Sequence, residues 1–361
     1  MKTFFKIFFI CLNILVAAAF LLALLATNIS PEDSWVIAAC GLLFPILVVI
    51  NFVFVLGWLL AKSYWILPSA SLMIVAIPTL IHAVQFDSSD PEKKKGIKIM
   101  SFNSRGLDYY EYIAKQGVVR DSIFQMLDRE QPDIVCFQEF YSRESKKWNI
   151  ISPLLSRKTK YCYLNDMGDF YNDTKWGLFT VSAYPIVNKK AFYFDPAYPF
   201  ATYCDIKINA DTIRVFNVHL RSFRFSFKEK AVLGDMLENN EIPSSEDSKG
   251  ILKRFEIAYE AKAKEIDTIS KVIKSSPYRV IVCGDLNDPP SSYAYHEFTE
   301  KLEDAFVESG SGFGKTYAGK LPLLRIDYIL HDEKISSFNY KTLDRNLSDH
   351  YPISCELELL K

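Results

Sequence analysis

The sequence predicts a membrane-anchored domain built from mixed strands and helices. Three features lead there. Long apolar stretches are gathered before residue 86. Beyond it, short apolar runs alternate with helix-patterned ones. Several of those runs stop abruptly at Asn, Glu, His or Asp.

The anchor comes first. Residues 4–26 are apolar apart from Lys6, and 35–61 and 64–85 form two further stretches. About 20 helical residues cross a hydrocarbon core of about 30 Å. A cleaved leader would explain the first stretch alone, and no small-residue cleavage site before a polar start is evident. Three transmembrane helices are expected within residues 1–86, then a polar linker at 87–96 and one domain at 97–361. Lys2, Lys6 and Lys62 contrast with Glu32 and Asp33 in the first loop. The positive-inside rule then predicts a multi-pass protein of the cell (inner) membrane, its C-terminal domain extracytoplasmic or periplasmic. Lys93-Lys94-Lys95 opposes this, although large domains translocate despite flanking charge.

In the domain, Ile97–Phe102 runs into Asn103, and Asp133–Gln138 into Glu139. Between them Val119, Ile123, Phe124 and Leu127 have helical spacing over 118–130, stopped by Pro132. Residues 177–187 read as a strand. Strands at 201–208 and 212–218 flank the turn Asn209-Ala210-Asp211, and the second leads into His219. A polar loop is expected at 234–250. A helix follows over 251–274, turning Ile257, Ala261, Ile266, Ile269 and Ile273 inward. Val280–Gly284 ends in Asp285, with Asn287 two residues on, so an extended chain offers both side chains together. Ser348-Asp349-His350 precedes the run Ile353–Leu359.

Seven Cys include no CxxC pair, and four of them fall in predicted strands as small hydrophobes. Setting aside Lys2, Lys6 and Lys62 from 42 basic residues, and Glu32 and Asp33 from 43 acidic ones, leaves the rest slightly acidic. That is not the basic footprint of a protein tracking a nucleic-acid backbone. Oxygen ligands and two histidines gathered at strand ends are what a hard-cation phosphoryl-transfer site needs.

The ordered set Ser-Phe-Asn103-Ser-Arg105, Gln138-Glu139, Tyr184-Pro185-Ile186, Val218-His219-Leu220, Gly284-Asp285-Leu286-Asn287, Arg325-Ile326-Asp327-Tyr328 and Ser348-Asp349-His350 resembles the endonuclease/exonuclease/phosphatase (DNase I-like) superfamily. The resemblance covers about residues 97–361. It implies an α+β fold, a four-layer αββα sandwich, here preceded by the three transmembrane helices. The anchor resembles a membrane-bound bacterial branch that includes vancomycin/teicoplanin-resistance proteins.

The resemblance also implies roles. Glu139 would bind Mg²⁺ directly, with Mn²⁺ as a substitute, and Asn103 would fix the metal or the phosphate. Asp349 would be a second metal ligand or a carboxylate behind the first. Asp285 and Asn287 would position the attacking water or hold phosphate, with Asp285 as general base. His350 would contact the scissile phosphate and Asp327 would orient it. His219 would be a general acid or phosphate donor, and Arg105 and Arg221 would clamp phosphate oxygens. The expected function is a membrane-anchored, Mg²⁺-dependent phosphoesterase acting on a phosphate ester, diester or pyrophosphate, with a lipid-linked phosphate at the bilayer as substrate. The alternatives are a membrane-tethered nuclease, disfavoured by the charge, and a non-catalytic receptor or scaffold, disfavoured because no ligand residue is missing. Oligomeric state stays open.

Overall fold

Proline placement shapes the first eighty residues. In the computed structural model of the protein, α1 (Lys2–Leu25) is one continuous apolar helix. The second expected span is instead two helices, α2 (Trp35–Gly41) and α3 (Phe44–Leu60), bent by 65°. The third is a 3-10 turn (Tyr64–Ile66) leading into α4 (Leu67–Val75), then α5 (Ile77–Ala83) after a 54° bend. Pro45 and Pro78 lie in the first turns of α3 and α5. There the missing N–H and the ring's clash with the carbonyl four residues back break a straight helix. One helix is therefore long and apolar enough to cross a membrane, or up to three spans if each bent pair counts as one.

The structure describes residues 2–86, 96–107, 118–143, 149–166, 174–195, 198–223, 229, 232, 243–319, 324–343 and 347–360. Most of the expected linker and the first part of the expected 234–250 loop lie outside them. The chain divides into two units, one of residues 1–80, 221–267 and 289–296, the other of residues 81–220, 268–288 and 297–361.

In the first unit, Phe20, Leu24, Phe44, Leu47 and Ala76 pack together. Asn13 is fully buried among apolar helices, donates to the Trp65 carbonyl at 2.8 Å and accepts from Ser69 Oγ at 2.6 Å. An amide placed so deep needs such internal partners, which also tie α1 to α4. The long helix α7 (Ser245–Lys274) starts inside the expected loop. Ser244 accepts from the Asp247 amide at 3.1 Å and donates to its carboxylate at 2.6 Å, an N-cap that fixes the start. Ile257 is exposed rather than inward, while Ile266, Ile269 and Ile273 are buried as expected.

The second unit is built on two six-stranded sheets. The first runs β11 (Ile335–Thr342), β12 (Ile353–Leu359), β1 (Ile97–Asn103), β2 (Ile134–Arg143), β4 (Thr174–Ser182), β3 (Tyr161–Asp166). The second runs β5 (Ile186–Asp195), β6 (Tyr198–Ile208), β7 (Asp211–His219), β8 (Arg279–Asp285), β10 (Asp327–Asp332), β9 (Leu302–Asp304). Only the central pairs β1–β2 and β7–β8 are parallel. The expected strand at 177–187 is two strands in different sheets. Ser182 Oγ accepts from the Tyr184 amide at 2.9 Å, and Pro185 offers no ladder donor, so the chain leaves one sheet there and enters the other.

Ile99, Ile134, Ile353 and Cys355 of the first sheet pack against Ile206, Val215, Ile281 and Cys283 of the second. On the first sheet's outer face, Met100, Phe102, Val135 and Phe137 pack against Val119, Ile123 and Leu127 of α6 (Val118–Glu130), where the sequence placed that helix. One polar cluster interrupts the inter-sheet core. Gln138 Nε2 donates to Asn217 Oδ1 at 2.8 Å, and Asn217 Nδ2 donates to the Phe137 carbonyl at 3.0 Å. Both side chains are fully buried, so this cluster holds the two sheets in one register beneath the ends of their central strands.

Candidate functional site

The site follows from that register. Parallel pairing sets Asn103 beside Gln138 in the first sheet and His219 beside Asp285 in the second. Antiparallel pairing sets Asp327 on the other flank of Asp285. The ends of β1, β7 and β8, the middle of β2 and the start of β10 therefore converge, so Glu139 sits within its strand and not at the strand end the sequence suggested.

Glu139 needs a further device. Alternation along β2 would send it outward with Phe137. Its φ is 48°, and the β2–β4 register shifts between Phe137 and Phe140, so both of those rings stay in the outer core. The bulge turns Glu139 inward, where Oε1 lies 3.6 Å from His219 Nε2. Gly284 is the counterpart in β8. With φ at +156°, a Cβ there would lie 1.9 Å from the Val218 carbonyl oxygen, so only glycine lets β7 and β8 approach just before Asp285.

Asp285 is the hub. Its side chain is 1% exposed. Oδ2 accepts from Asn103 Nδ2 at 2.9 Å, across the two sheets, and Oδ1 accepts from the Asn287 amide at 2.7 Å. His350 Nε2 lies 3.7 Å and His219 Nε2 3.8 Å from Oδ2. Burial raises the Asp285 pKa and outweighs the opposing His350 charge. His350 Nδ1 lies 2.9 Å from Asp327 Oδ2. Burial alone would lower the His350 pKa, but the Asp327 and Asp285 carboxylates outweigh it and push it up to about 10.

Not every expected residue joins this cluster in the same way. Asn287 Nδ2 donates to the Leu220 carbonyl at 2.9 Å, bracing the turn after Asp285. Asp349 pairs with Arg105 Nε at 3.6 Å, both partly exposed. Arg221 belongs to the other unit and is held by buried Glu265, which takes its amide at 2.9 Å and its Nε at 3.4 Å. Tyr317 was not expected: its ring meets the His350 ring edge-on, with centroids 5.4 Å apart. Nothing in the sequence around it marks it, because the loop before β10 delivers it. Asn217 did leave a signal, as a lone amide in the apolar run before His219.

The donor set can be tested for a cation. Asp285, Asp327 and His350 offer ligand atoms all within 4.8 Å of one another. Asp327 Oδ1 is buried with no hydrogen-bond partner among the described residues. Glu139 presents a carboxylate whose side chain is one-third exposed (32%). Carboxylate oxygens suit a hard divalent ion, so Glu139 and the buried acids fit one.

A two-sheet α+β sandwich that gathers acids, amides and imidazoles at its central strand ends defines a class of phosphoester-processing folds. The chain belongs to the Endonuclease/Exonuclease/phosphatase family, whose model matches residues 100–350. Residues 5–82 match a second model, a domain of unknown function (DUF8431). Among solved structures, the fold is similar to a mannosyl-6-phosphatase from Bacteroides thetaiotaomicron VPI-5482, at 15% identity over 73% of this chain and 99% of that one, TM-score 0.52. It is also similar to a family protein from Leptotrichia buccalis C-1013-b, at 16% identity over 73% and 99%, TM-score 0.51. A third, from Bacteroides vulgatus, is 15% identical over 74% and 100%, TM-score 0.51. At these identities the likeness concerns the fold. No curated protein matches the chain.

Asn103→Ala removes the donor that one buried Asp285 oxygen receives from the opposite sheet. An unpaired buried acceptor costs about 1–3 kcal/mol. Thermal unfolding of the purified full-length variant should show a lower midpoint, and an unchanged midpoint would mean that the bond does not hold the sheets.

Proposed function

We propose that the protein is a membrane-anchored, divalent-metal-dependent phosphoesterase that hydrolyses a phosphate ester, diester or pyrophosphate of a membrane lipid. The observation that carries this reading is the convergence of Glu139, Asn103, Asp285, Asp327, His219 and His350 on one point of a family fold. Glu139, with Asn103 and Asp349 nearby, would hold Mg²⁺ or Mn²⁺. When bound, the ion supplies charge stabilisation to the phosphoryl oxygens. Asp285, fixed by Asn103 and the Asn287 amide, orients the attacking water and takes its proton. His350, held and charged by Asp327, donates to a phosphoryl oxygen as negative charge builds on phosphorus. His219 stands beside both Glu139 and Asp285 and is placed to protonate the leaving oxygen. Arg105, paired with Asp349, would share in holding phosphate, while Arg221 is held by Glu265.

The lipid part of the proposal rests on the apolar N-terminal region. An enzyme confined to the bilayer meets lipid substrate at a high local concentration. We read the two bent pairs as two further spans, with the C-terminal domain outside the cytoplasm. The nearly balanced charge disfavours nucleic acid as substrate.

A hydrolysis screen of the purified protein over isoprenyl pyrophosphate, phosphoinositides, sphingomyelin and DNA, reading free phosphate from monoesters and pyrophosphate and the monoester product from diesters, tests the reaction class. Chelator should abolish the activity, and Mg²⁺ or Mn²⁺ should restore it. Glu139→Gln should lower kcat by ~10² or more, the scale of losing one electrostatic stabiliser. Full activity in excess chelator, or in that variant, would remove the metal from the mechanism.

Asp327 and His350 should behave as one unit. Asp327→Asn, nearly isosteric, should leave the unfolding midpoint in place yet lower kcat strongly, and His350→Ala should lower it at least as much. The double variant should be little worse than His350→Ala alone. Losses that multiply would show the two acting independently.

Orientation is tested separately. A reporter fused after Lys361 should register as exported, and cytoplasmic reporter activity would place the domain on the inner face.

A further inference from the structure

The catalytic unit begins with the last residues of α5, and this entry segment is bound into the framework of the site. Arg325 is 2% exposed. Its Nη2 donates to the His82 carbonyl at 2.7 Å and its Nη1 to Asp304 Oδ2 at 2.7 Å, with the guanidinium lying 4.5 Å from the Phe306 ring centre and 4.6 Å from that of Tyr328. Two residues further on is Asp327, the partner of His350. Gln85 and Gly312 exchange backbone hydrogen bonds of 2.9 and 2.8 Å. Five residues after Gly312 comes Tyr317, whose ring meets His350.

Beside this Gln85–Gly312 bridge stand two aromatic side chains in the open. Phe86 is 88% exposed and Phe313 is 50% exposed. Each follows a bridged residue, Phe86 after Gln85 and Phe313 in the turn that Gly312, with φ at +72°, begins. The backbone beneath them is not loose. Gly314 has a φ of +57°, and a Cβ there would meet the Phe306 ring at 2.6 Å, so the loop is packed down on its inner side while Phe313 stays out. Burying a large apolar side chain is favourable, which leaves two such rings in water as an unmet driving force. Phe86 lies three residues past the end of α5, a helix of largely apolar residues. Where a chain leaves a bilayer, aromatic side chains favour the interfacial zone.

We propose that Phe86 and Phe313 form a bilayer-contact surface of the catalytic unit, seated in the interfacial layer of the membrane. The occupant is the phospholipid interface itself. Both routes from this surface, through Arg325 to Asp327 and through Gly312 to Tyr317, lead to His350. Seating the rings in lipid would tie the His350 framework to the membrane surface. This part rests on the lipid-phosphate reading above, while the contact surface stands apart from it.

The test uses the full chain reconstituted in vesicles of phosphatidylethanolamine and phosphatidylglycerol. A photo-reactive benzoylphenylalanine replaces Phe86, Phe313 or, as a control, Val187, which is 56% exposed on the edge strand β5. Irradiation should give roughly tenfold more phospholipid adduct from positions 86 and 313 than from 187, the scale set by burying one ring. Equal adduct from all three positions would overturn the proposal, as would cross-links to a second copy of the chain in place of lipid. A paired Phe86→Ser, Phe313→Ser variant should lose roughly tenfold in kcat/KM on vesicle-embedded lipid phosphate. It should keep its rate on soluble p-nitrophenyl phosphate, and an equal loss on both substrates would count against the surface. Lipid adducts without any lipid-phosphate hydrolysis would leave the contact surface standing and remove the lipid substrate. Hydrolysis of lipid phosphate without those adducts would do the reverse.

Discussion

A carboxylate almost wholly withdrawn from water needs donors on every side, and Asp285 finds them in both sheets. Asn103 reaches it from β1, its own turn supplies the Asn287 amide, and two imidazoles stand within 4 Å. Remove the sheet-to-sheet contact and an acceptor is left buried and unpaired. Beneath it, Gln138 and Asn217 repeat the arrangement with neutral amides. Polar groups buried between two apolar faces specify register more sharply than apolar packing does, because a one-residue slip leaves them unsatisfied. The site and the alignment of the sandwich thus rest on the same contacts.

Two backbone irregularities complete what regular strands leave undone. A strand delivers side chains to one face only at every second residue, so neighbouring Gln138 and Glu139 would point to opposite faces. The bulge at Glu139 brings both toward the inside. At Gly284 the lack of a side chain lets the Val218 carbonyl come close, which draws His219 and Asp285 level. Bulges and left-handed residues beside functional sites carry local strain that surrounding structure must hold in place. Here the flanking Phe137, Phe140 and Phe179 rings hold it, with centroids 4.3–6.3 Å apart.

Much of this was legible in the chain. Strand ends marked by Asn103, His219 and Asp285 lie where abrupt polar stops follow apolar runs, because a strand's pattern is local. The α6 helix was equally local. Pairing between distant elements left no such trace. That Asp349 turns to Arg105 while Asp327 meets His350 depends on loops, and Tyr317 arrives by a loop with no pattern at all. Other departures from the expected elements had local causes. Pro185 ends one strand inside what hydrophobicity presents as a single run, and Pro45 and Pro78 break two apolar stretches of spanning length. Ser244 with Asp247 is a capping pair inside a segment that composition marks as loop. In each case a backbone rule overrode the average character of the window.

The register that assembles the site also creates its main conflict. Asp285 and Asp327 are direct cross-strand partners, and like charges so placed repel. His350 lies against both, 2.9 Å from Asp327 Oδ2 and 3.7 Å from Asp285 Oδ2, and its raised pKa reflects the pull of the pair. One imidazolium between two carboxylates still leaves a negative balance, to which Glu139 adds. Asp327 Oδ1 also stays without a donor among the described residues. Arg105 is turned to Asp349, and Arg221 to Glu265. Apolar side chains would relieve the repulsion more simply, yet the two acids stay buried side by side. A protein fold tolerates such an excess where a bound cation completes it, which supports the divalent ion proposed at Glu139 beside these acids.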